Sequence, residues 1–496
     1  MPRAGRCSAL ASWLFLRLLG IVYFAAFGSL FTQIVGLVGH DGILPAAAYM
    51  DAVRVFVADQ HIGLDRFRLF PTLTWLGTSD AFLRGLCLAG MAGAGLLIAG
   101  IGQVLVTPFL WLLYLTLTIA GQDFMSYQWD ALLLESGFLA VLLTPSLRSR
   151  PLQATEPSPV AVWLFLWLIF RLMFGSGAVK LTSGDPTWRG LTALEYHFAT
   201  QPIPTPIAWY AHQAPAVVLK VVTAIVFVIE LGAPLLMLTG RPRPRIAAFV
   251  LLVGLQLIIA LTGNYAFFNL LSASLCVFLI PADIWARILL FVRVDGERTL
   301  RSRQVLAVIV GVITVPASVV SFCGSLGLPL GWATPLFPVA AAVEPLQAVN
   351  SYGLFAVMTT TRPEIIVEGS NDGVIWAPYE FRYKVGDLRR RPPWVAPHQP
   401  RLDWQMWFAA LGRFENERWF SEFCRRLLEG SPDVLNLLDG DPFGGRPPRF
   451  VRAMTYDYRF STFALRRDEA QWWIRGSGRA YTPTFFLRGD RTLGYQ

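Results

Sequence analysis

A lysine at the edge of a low-dielectric region gives up its proton more readily than one in water, and can then serve as a base or nucleophile. In this chain Lys180 is the residue best placed for that chemistry. It closes a long apolar run in AVKLTSGDPTWRG, and His197 and His212 follow in the same polar stretch as candidate proton partners. The competing role for Lys180 is a structural ion pair. The stretch also carries Asp185, Trp188, Tyr196 and Gln201, and after a Pro-spaced segment Trp209 and Tyr210. A belt of interfacial Trp and Tyr with a rigid Pro-rich cap would use the same residue types. Two further segments add polar groups at matching positions. QWDALLLESG supplies Gln128, Asp130 and Glu135, with Gln128, Leu132 and Glu135 on one helix face, and GNYAFFNLL supplies Asn264 and Asn269.

Two charges lie deeper. Arg171 falls near the centre of an apolar helix and Glu230 near the centre of VFVIELGAPLLML. An unpaired charge is costly there, so depth matching predicts an Arg171–Glu230 pair near the midplane and a Glu135–Lys180 pair nearer the surface. Gly175, Ser176, Gly177 and Ala178 allow another helix to come close. GxSxG, HExxH and Walker A patterns are absent, and Cys7, Cys87, Cys276, Cys323 and Cys424 show no metal-ligand spacing. The residues therefore predict no metal site, no cofactor and no disulfide framework.

The elements that must hold these groups are membrane helices. Of 496 residues 54% are hydrophobic and 15% charged, against roughly 25% charged in a soluble domain. Apolar runs of spanning length lie near 10–38, 82–101, 103–121, 130–146, 159–181, 216–239, 245–263, 268–291 and 304–326, about nine in all. The first continues past any cleavage site and reads as a retained helix, not a removed signal. The net charge of +9 includes arginines in short loops between the apolar runs, where they set orientation instead of binding nucleic acid. With Arg3 and Arg6 inside, alternate loops are basic at Arg148 and Arg150, at Arg241, Arg243 and Arg245, and at Arg293, Arg298, Arg301 and Arg303. The same threading puts loops 39–81, 121–129, 182–215 and 262–267 outside, together with everything after about residue 326.

The chain thus divides into a transmembrane helical domain (1–326), a linker (327–349) and a C-terminal extracytoplasmic domain (350–496). In the last, SYGLFAVMTT and PEIIVEGSNDGVIWAPYEFRYKV alternate as strands do. DWQMWFAALG and NERWFSEFCRRLLEG have helical spacing, the second ending at Gly430, and FVRAMTYDYRFST and AQWWIRG read as strands again. Fold class follows: a polytopic α-helical membrane protein with a soluble α+β domain built on a β-sheet or sandwich.

QWDALLLE, KLTSGDPTWRGLTALEYHFATQPIPTPIAWYAHQAP, GNYAFFNLL and the long RPEIIVEGSNDGVIWAPYEFRYKVGDLRRRPPWVAPHQPRLDWQMWFAAL resemble the lipase maturation factor family over nearly the whole chain. Animal members of that family are endoplasmic reticulum membrane proteins that bring secreted lipases to their folded, active form. The resemblance implies a maturation role toward an exported client, a lipase among the candidates, with the C-terminal domain facing it and membrane lipids as the other partners. A shorter likeness joins AVKLTSGDPTWRG to vitamin K-dependent γ-carboxylase relatives. It implies the alternative of a membrane enzyme acting on a lipid, quinone or protein substrate at the outer face, with Lys180 as base. The preponderance of Arg over Lys points to a bacterial inner membrane with a periplasmic C-terminus. In a eukaryotic cell the equivalent is an endoplasmic reticulum membrane with a luminal C-terminus.

Overall fold

The computed structural model describes residues 2–144, 150–294, 301–490 and 492–496. Arg148 and Arg298 of the basic loops lie outside the described residues, as do the side chains of Arg3 and Arg6.

Among the described residues seven helices are long and apolar enough to cross a membrane: α1 (Pro2–Phe31), α2 (Asp80–Ala99), α3 (Gln103–Gly121), then, after a shorter α4 (Gln128–Ala140), α5 (Pro159–Thr182), α6 (Ala216–Leu238), α7 (Pro242–Thr262) and, after the bent pair α8 (Phe268–Leu279) and α9 (Ala282–Ile288), α10 (Arg301–Ser325). Two of the nine runs read from sequence therefore fold differently. The run 130–146 gives the 13 residues of α4 and a 3-10 turn, Val141–Leu143, about 25 Å of helix together, short of a hydrocarbon core of roughly 30 Å. Thr144 is extended where Pro145 follows, because proline disfavours a helical residue before it. Pro281 acts likewise on Ile280 in the run 268–291, and α8 meets α9 at 114°. If that bent pair counts as one span, the described residues hold up to eight.

One end of the bundle gathers the amino-terminal helix and two loops that follow apolar runs. Strand β1 (Gln153–Ala154) pairs in parallel with β2 (Arg293–Val294), and Trp13 donates its indole N–H to the Pro151 carbonyl at 2.8 Å. The other end carries the C-terminal region.

That region is one antiparallel sheet with helices on it, not a sandwich. A hairpin joins β3 (Arg362–Ser370) to β4 (Ala377–Tyr379), its turn held by Asp372, whose carboxylate accepts the amides of Val374 and Ile375 at 2.8 Å each. β3 pairs along its whole length with the long β5 (Phe450–Phe460), in register from Arg362–Tyr458 to Ser370–Phe450. The other edge of β5 is shared by β6 (Trp473–Ala480) and β7 (Phe485–Leu487), and β8 (Leu493–Tyr495) closes the order. Helices α11 (Arg401–Leu411) and α12 (Arg418–Glu429) pack against the strands. α12 ends at Gly430 in the left-handed region, φ 69°, where glycine carries no Cβ penalty.

SYGLFAVMTT, read as a strand from its alternation, is irregular. Two of its amides are taken by side chains of the bundle, Gly353 N–H by Gln128 and Met358 N–H by Asp185, and the Asn350 N–H just before it by Glu135. Backbone groups satisfied in this way have no need of a sheet partner. Residues 344–358 form a strap laid across the helix ends. The buried apolar core is continuous through this contact, with Trp404 and Met406 of α11 in one cluster with Tyr127, Trp129 and Tyr265.

Candidate functional site

Most of the polar residues singled out by type and spacing meet at the end of the bundle that carries the C-terminal region, and most hold one part of the chain to another. Asp130, at the start of α4, is fully buried. It accepts two hydrogen bonds from the guanidinium of Arg401, both 2.9 Å, and a third from Tyr114 Oη. The paired fork geometry is the strongest arrangement of these two groups. Burial works against the Arg401 charge, but Asp130 outweighs it and holds the guanidinium above its usual range. Asn264 works through hydrogen bonds alone. It donates to the carbonyls of Ile203 and Pro393 and accepts the amides of Val395 (2.8 Å) and Ala396 (3.0 Å), fixing the Pro-rich stretch before α11. Gln201 accepts from Tyr265 Oη at 2.8 Å and donates to the Thr262 carbonyl. Trp209 is buried against Trp472 and Phe463 and donates to Ser461 Oγ. Asn269 donates to Gln256 at 2.9 Å within the bundle.

The loop after α5 is shaped by Asp185. Its carboxylate accepts the amides of Thr187 (2.7 Å) and Trp188 (3.2 Å), capping the short helix Pro186–Arg189, and its second oxygen takes the Met358 amide at 2.9 Å. Burial alone would raise its pKa, but these hydrogen bonds together hold it below the usual carboxylate range. Trp188 beside it packs on Phe227 and donates to the Phe355 carbonyl, with Tyr196 in the same cluster.

The deep charges are all paired, with partners exchanged relative to the sequence reading. Arg171 bonds Glu135, whose other oxygen takes Tyr352 Oη at 2.7 Å, while Lys180 donates to both oxygens of Glu230 at 2.6 Å. Depth was the wrong criterion by itself. Nine residues separate Arg171 from Lys180, which at about 100° per residue places them on opposite faces of α5. One faces α4 and the other faces α6. Glu230 sits in a π-turn, Val228–Gly232, that interrupts α6. Pro234 lies four residues on and cannot donate to the Glu230 carbonyl, a standard cause of such a bulge. At Gly177 a Cβ would meet Glu230 and Leu231 near 2.9 Å, so glycine permits the close approach that brings Lys180 to its partner.

Lys180 and Glu230 border a mainly apolar cavity of about 130 Å³ enclosed by α5, α6, α7 and the helix Ala193–Thr200. His197 lines it, with Phe355 of the strap packed edge-on at 4.8 Å. Burial, reinforced by the Lys180 charge, lowers the His197 pKa to about 4. His212 is elsewhere, against Phe460 at 5.5 Å, and does not join Lys180. His40 and His61 of the first outer loop are exposed. Among the described residues no group of His, Cys, Asp and Glu could hold a metal ion.

Residues 10–287 match the family model described as the lipase maturation factor transmembrane domain, and residues 348–483 match the lipase maturation factor C-terminal domain. The chain belongs to the lipase maturation factor family. Lipase maturation factor 2 of Gallus gallus is 38% identical, the match covering 97% of this chain and 82% of the relative. The Homo sapiens lipase maturation factor 2 is 35% identical over 98% and 84%, and lipase maturation factor 1 of Bos taurus 34% over 97% and 90%. No solved structure matches. AVKLTSGDPTWRG lies inside the first lipase maturation factor domain, so the family accounts for the block that carried the shorter likeness to γ-carboxylase relatives.

The contact between the two lipase maturation factor domains also depends on residues that sequence reasoning passed over. Arg362, at the start of β3, is buried and donates to the carbonyls of Ala199 (2.8 Å), Gln201 (2.5 Å) and Pro202 (2.8 Å), at the carboxy end of the helix Ala193–Thr200. A guanidinium is well matched to unsatisfied carbonyls at a helix end. Glu364 pairs with it at 2.7 Å and also with Lys384. Gln33, in the turn between α1 and the short helix Ile34–Val38, donates to the Gln399 carbonyl and accepts the Arg401 amide. The only sequence signal was the polar, Pro-rich character of 389–400, which marks a loop without naming its partners.

Proposed function

We infer that this chain is a membrane-embedded maturation factor for exported proteins, with the C-terminal region as the part that meets the client and a lipase among the candidate clients. Family membership over both domains supports the class. The observation that carries the mechanism is the buried clamp of Arg401 on Asp130 and of Arg362 on the carbonyls of 199–202. A domain held by desolvated, bidentate contacts is a fixed platform, not a tethered one, and it presents its surface at a constant height above the bilayer. In this reading the helices anchor and orient, and membrane lipids are the second partner. The basic loops face the cytoplasm and the platform faces the opposite compartment. That compartment is the periplasm for a bacterial inner membrane, as the Arg-rich composition favours, or the lumen of the endoplasmic reticulum, where the animal relatives named in the family resemblance reside.

The enzyme alternative requires Lys180 as a free base. Both oxygens of Glu230 accept from its Nζ at 2.6 Å, so the amine is engaged in a buried ion pair and its role in the fold is accounted for by that contact. The deciding experiment follows secretion of active client from the native host. Arg401→Ala, which loosens the platform, is expected to lower client yield strongly. The double variant Lys180→Met/Glu230→Leu, which removes the ion pair as a unit, is expected to keep it. Loss of yield in the double variant with full expression, and none in Arg401→Ala, would reverse the conclusion.

A further inference from the structure

The cavity beside the Lys180–Glu230 pair has three properties that together define a ligand. First, it reaches the lipid-facing surface. α6 and α7 pack against each other along Ala233–Leu238 and part along Ala216–Phe227, and Ile258 of α7 both lines the cavity and is 57% exposed on the outer face of the bundle. Second, the walls are aliphatic and aromatic, with Val222 and Val226 on one side and Leu255 and Ile259 on the other. Its size approaches that of engineered apolar cavities of about 150 Å³ that bind benzene. Third, His197 on its wall carries one buried acceptor without a donor. Tyr265 Oη donates to Gln201 and lies 3.4 Å from His197 Nε2, so Nε2 carries the ring proton and the tautomer is fixed. Nδ1 is then a bare lone pair, and it is buried with no hydrogen-bond partner among the described residues.

We propose that this cavity is a lateral binding site for a neutral, hydroxyl-bearing membrane amphiphile. The hydroxyl donates to His197 Nδ1 and the aliphatic chain leaves between α6 and α7. The charge balance selects the head group. The one cation at the site, Lys180, is neutralised by Glu230, so a carboxylate or phosphate would enter without a counter-charge and would present no proton to Nδ1. A long-chain alcohol or a monoacylglycerol meets both requirements. The strap residue Phe355 covers the ligand head from the side of the C-terminal region, which places the site at the joint between the two domains. The proposal does not depend on who the client is.

The test uses the full chain in phosphatidylcholine nanodiscs with a diazirine-bearing hexadecanol as photoprobe. Peptide mapping is expected to find saturable labelling of 219–226 and 255–262. Plain hexadecanol should compete at least tenfold better than its methyl ether, which lacks the donor. That ratio is read on the unaltered chain and needs no variant to fold. In His197→Phe the alcohol and the ether should compete equally, and Ser176→Leu, which fills the cavity, should lose the saturable labelling. Equal competition in the unaltered chain, or labelling spread evenly over the lipid-facing helices, overturns the proposal. So does a density map with water alone at Nδ1.

Discussion

Arg401→Ala leaves the Asp130 carboxylate wholly buried, with Tyr114 Oη as its remaining side-chain partner among the described residues. Removing one partner of a buried, hydrogen-bonded ion pair typically costs about 3–5 kcal/mol, most of it the penalty of the orphaned charge. That is roughly two to three and a half decades in the equilibrium between docked and undocked C-terminal region, at about 1.4 kcal/mol per decade. Arg401 also donates to the Phe124 carbonyl, which puts the expected cost toward the upper part of the range. Hydrogen exchange in detergent reads this directly. The amides of β3 and of residues 199–205 should exchange about three decades faster in Arg401→Ala while α5 and α7 keep their protection. Arg401→Met/Asp130→Leu removes both charges and deprives only two neutral groups, the Tyr114 hydroxyl and the Phe124 carbonyl, of these partners, so it should recover most of the protection. If the single variant exchanges within threefold of the unaltered chain, or if the double variant loses as much as the two singles combined, the clamp does not hold the platform and the argument fails.

Other consequences follow from the same contacts. A double-mutant cycle on Glu135 and Arg171 should give a coupling of at least about 1 kcal/mol in detergent thermal stability, and one on Glu230 and Arg171 close to zero; the reverse pattern would restore the depth-matched pairing. Arg362→Lys keeps the charge but not the fork that spans three carbonyls, and should cost about 2 kcal/mol or more, seen as faster proteolysis between 199 and 205. His197 is lowered to about 4 in the folded chain from an ordinary 6.5. The stability it contributes is complete above pH 6.5 and is lost as pH falls toward 4, up to about 3 kcal/mol. The melting temperature in detergent should fall over that window, and His197→Phe should flatten the fall. Gly36→Ala would drive a methyl group into the Asp433 carbonyl where Ile34–Val38 meets the segment Pro432–Leu435, and should cost about 1–3 kcal/mol of docking stability by the same exchange assay.

Much of the site was legible in residue types alone. Glu135, Arg171, Lys180 and Glu230 stood out because a charge within an apolar run needs a partner, and each of them has one, though not the one that depth matching assigned; Asp130 and Asp185 stood out as members of polar motifs. Asn264, Gln201 and Trp209 stood out through density of polar and aromatic groups, and each holds a backbone or ring contact. His212 was drawn into the catalytic alternative by proximity in sequence, and packs against Phe460 instead. SYGLFAVMTT in the strap looked like a strand because its residues alternate, but side-chain oxygens of Gln128 and Asp185 accept its Gly353 and Met358 amides, and Glu135 accepts that of the preceding Asn350.

By itself the amino-acid sequence determined what is governed by local chemistry and by solvent. It specified the apolar lengths that demand a bilayer, the prolines at 145 and 281 that break two of the runs, the glycine that ends α12, and the rule that buried charges must be neutralised. Only the tertiary structure decided which charge meets which. A pairing depends on the azimuth of each side chain and on how closely two helices approach, and these are fixed by side chains from every neighbouring element at once. Arg401 reaches Asp130 across 271 positions of chain, and no spacing within either segment encodes that distance.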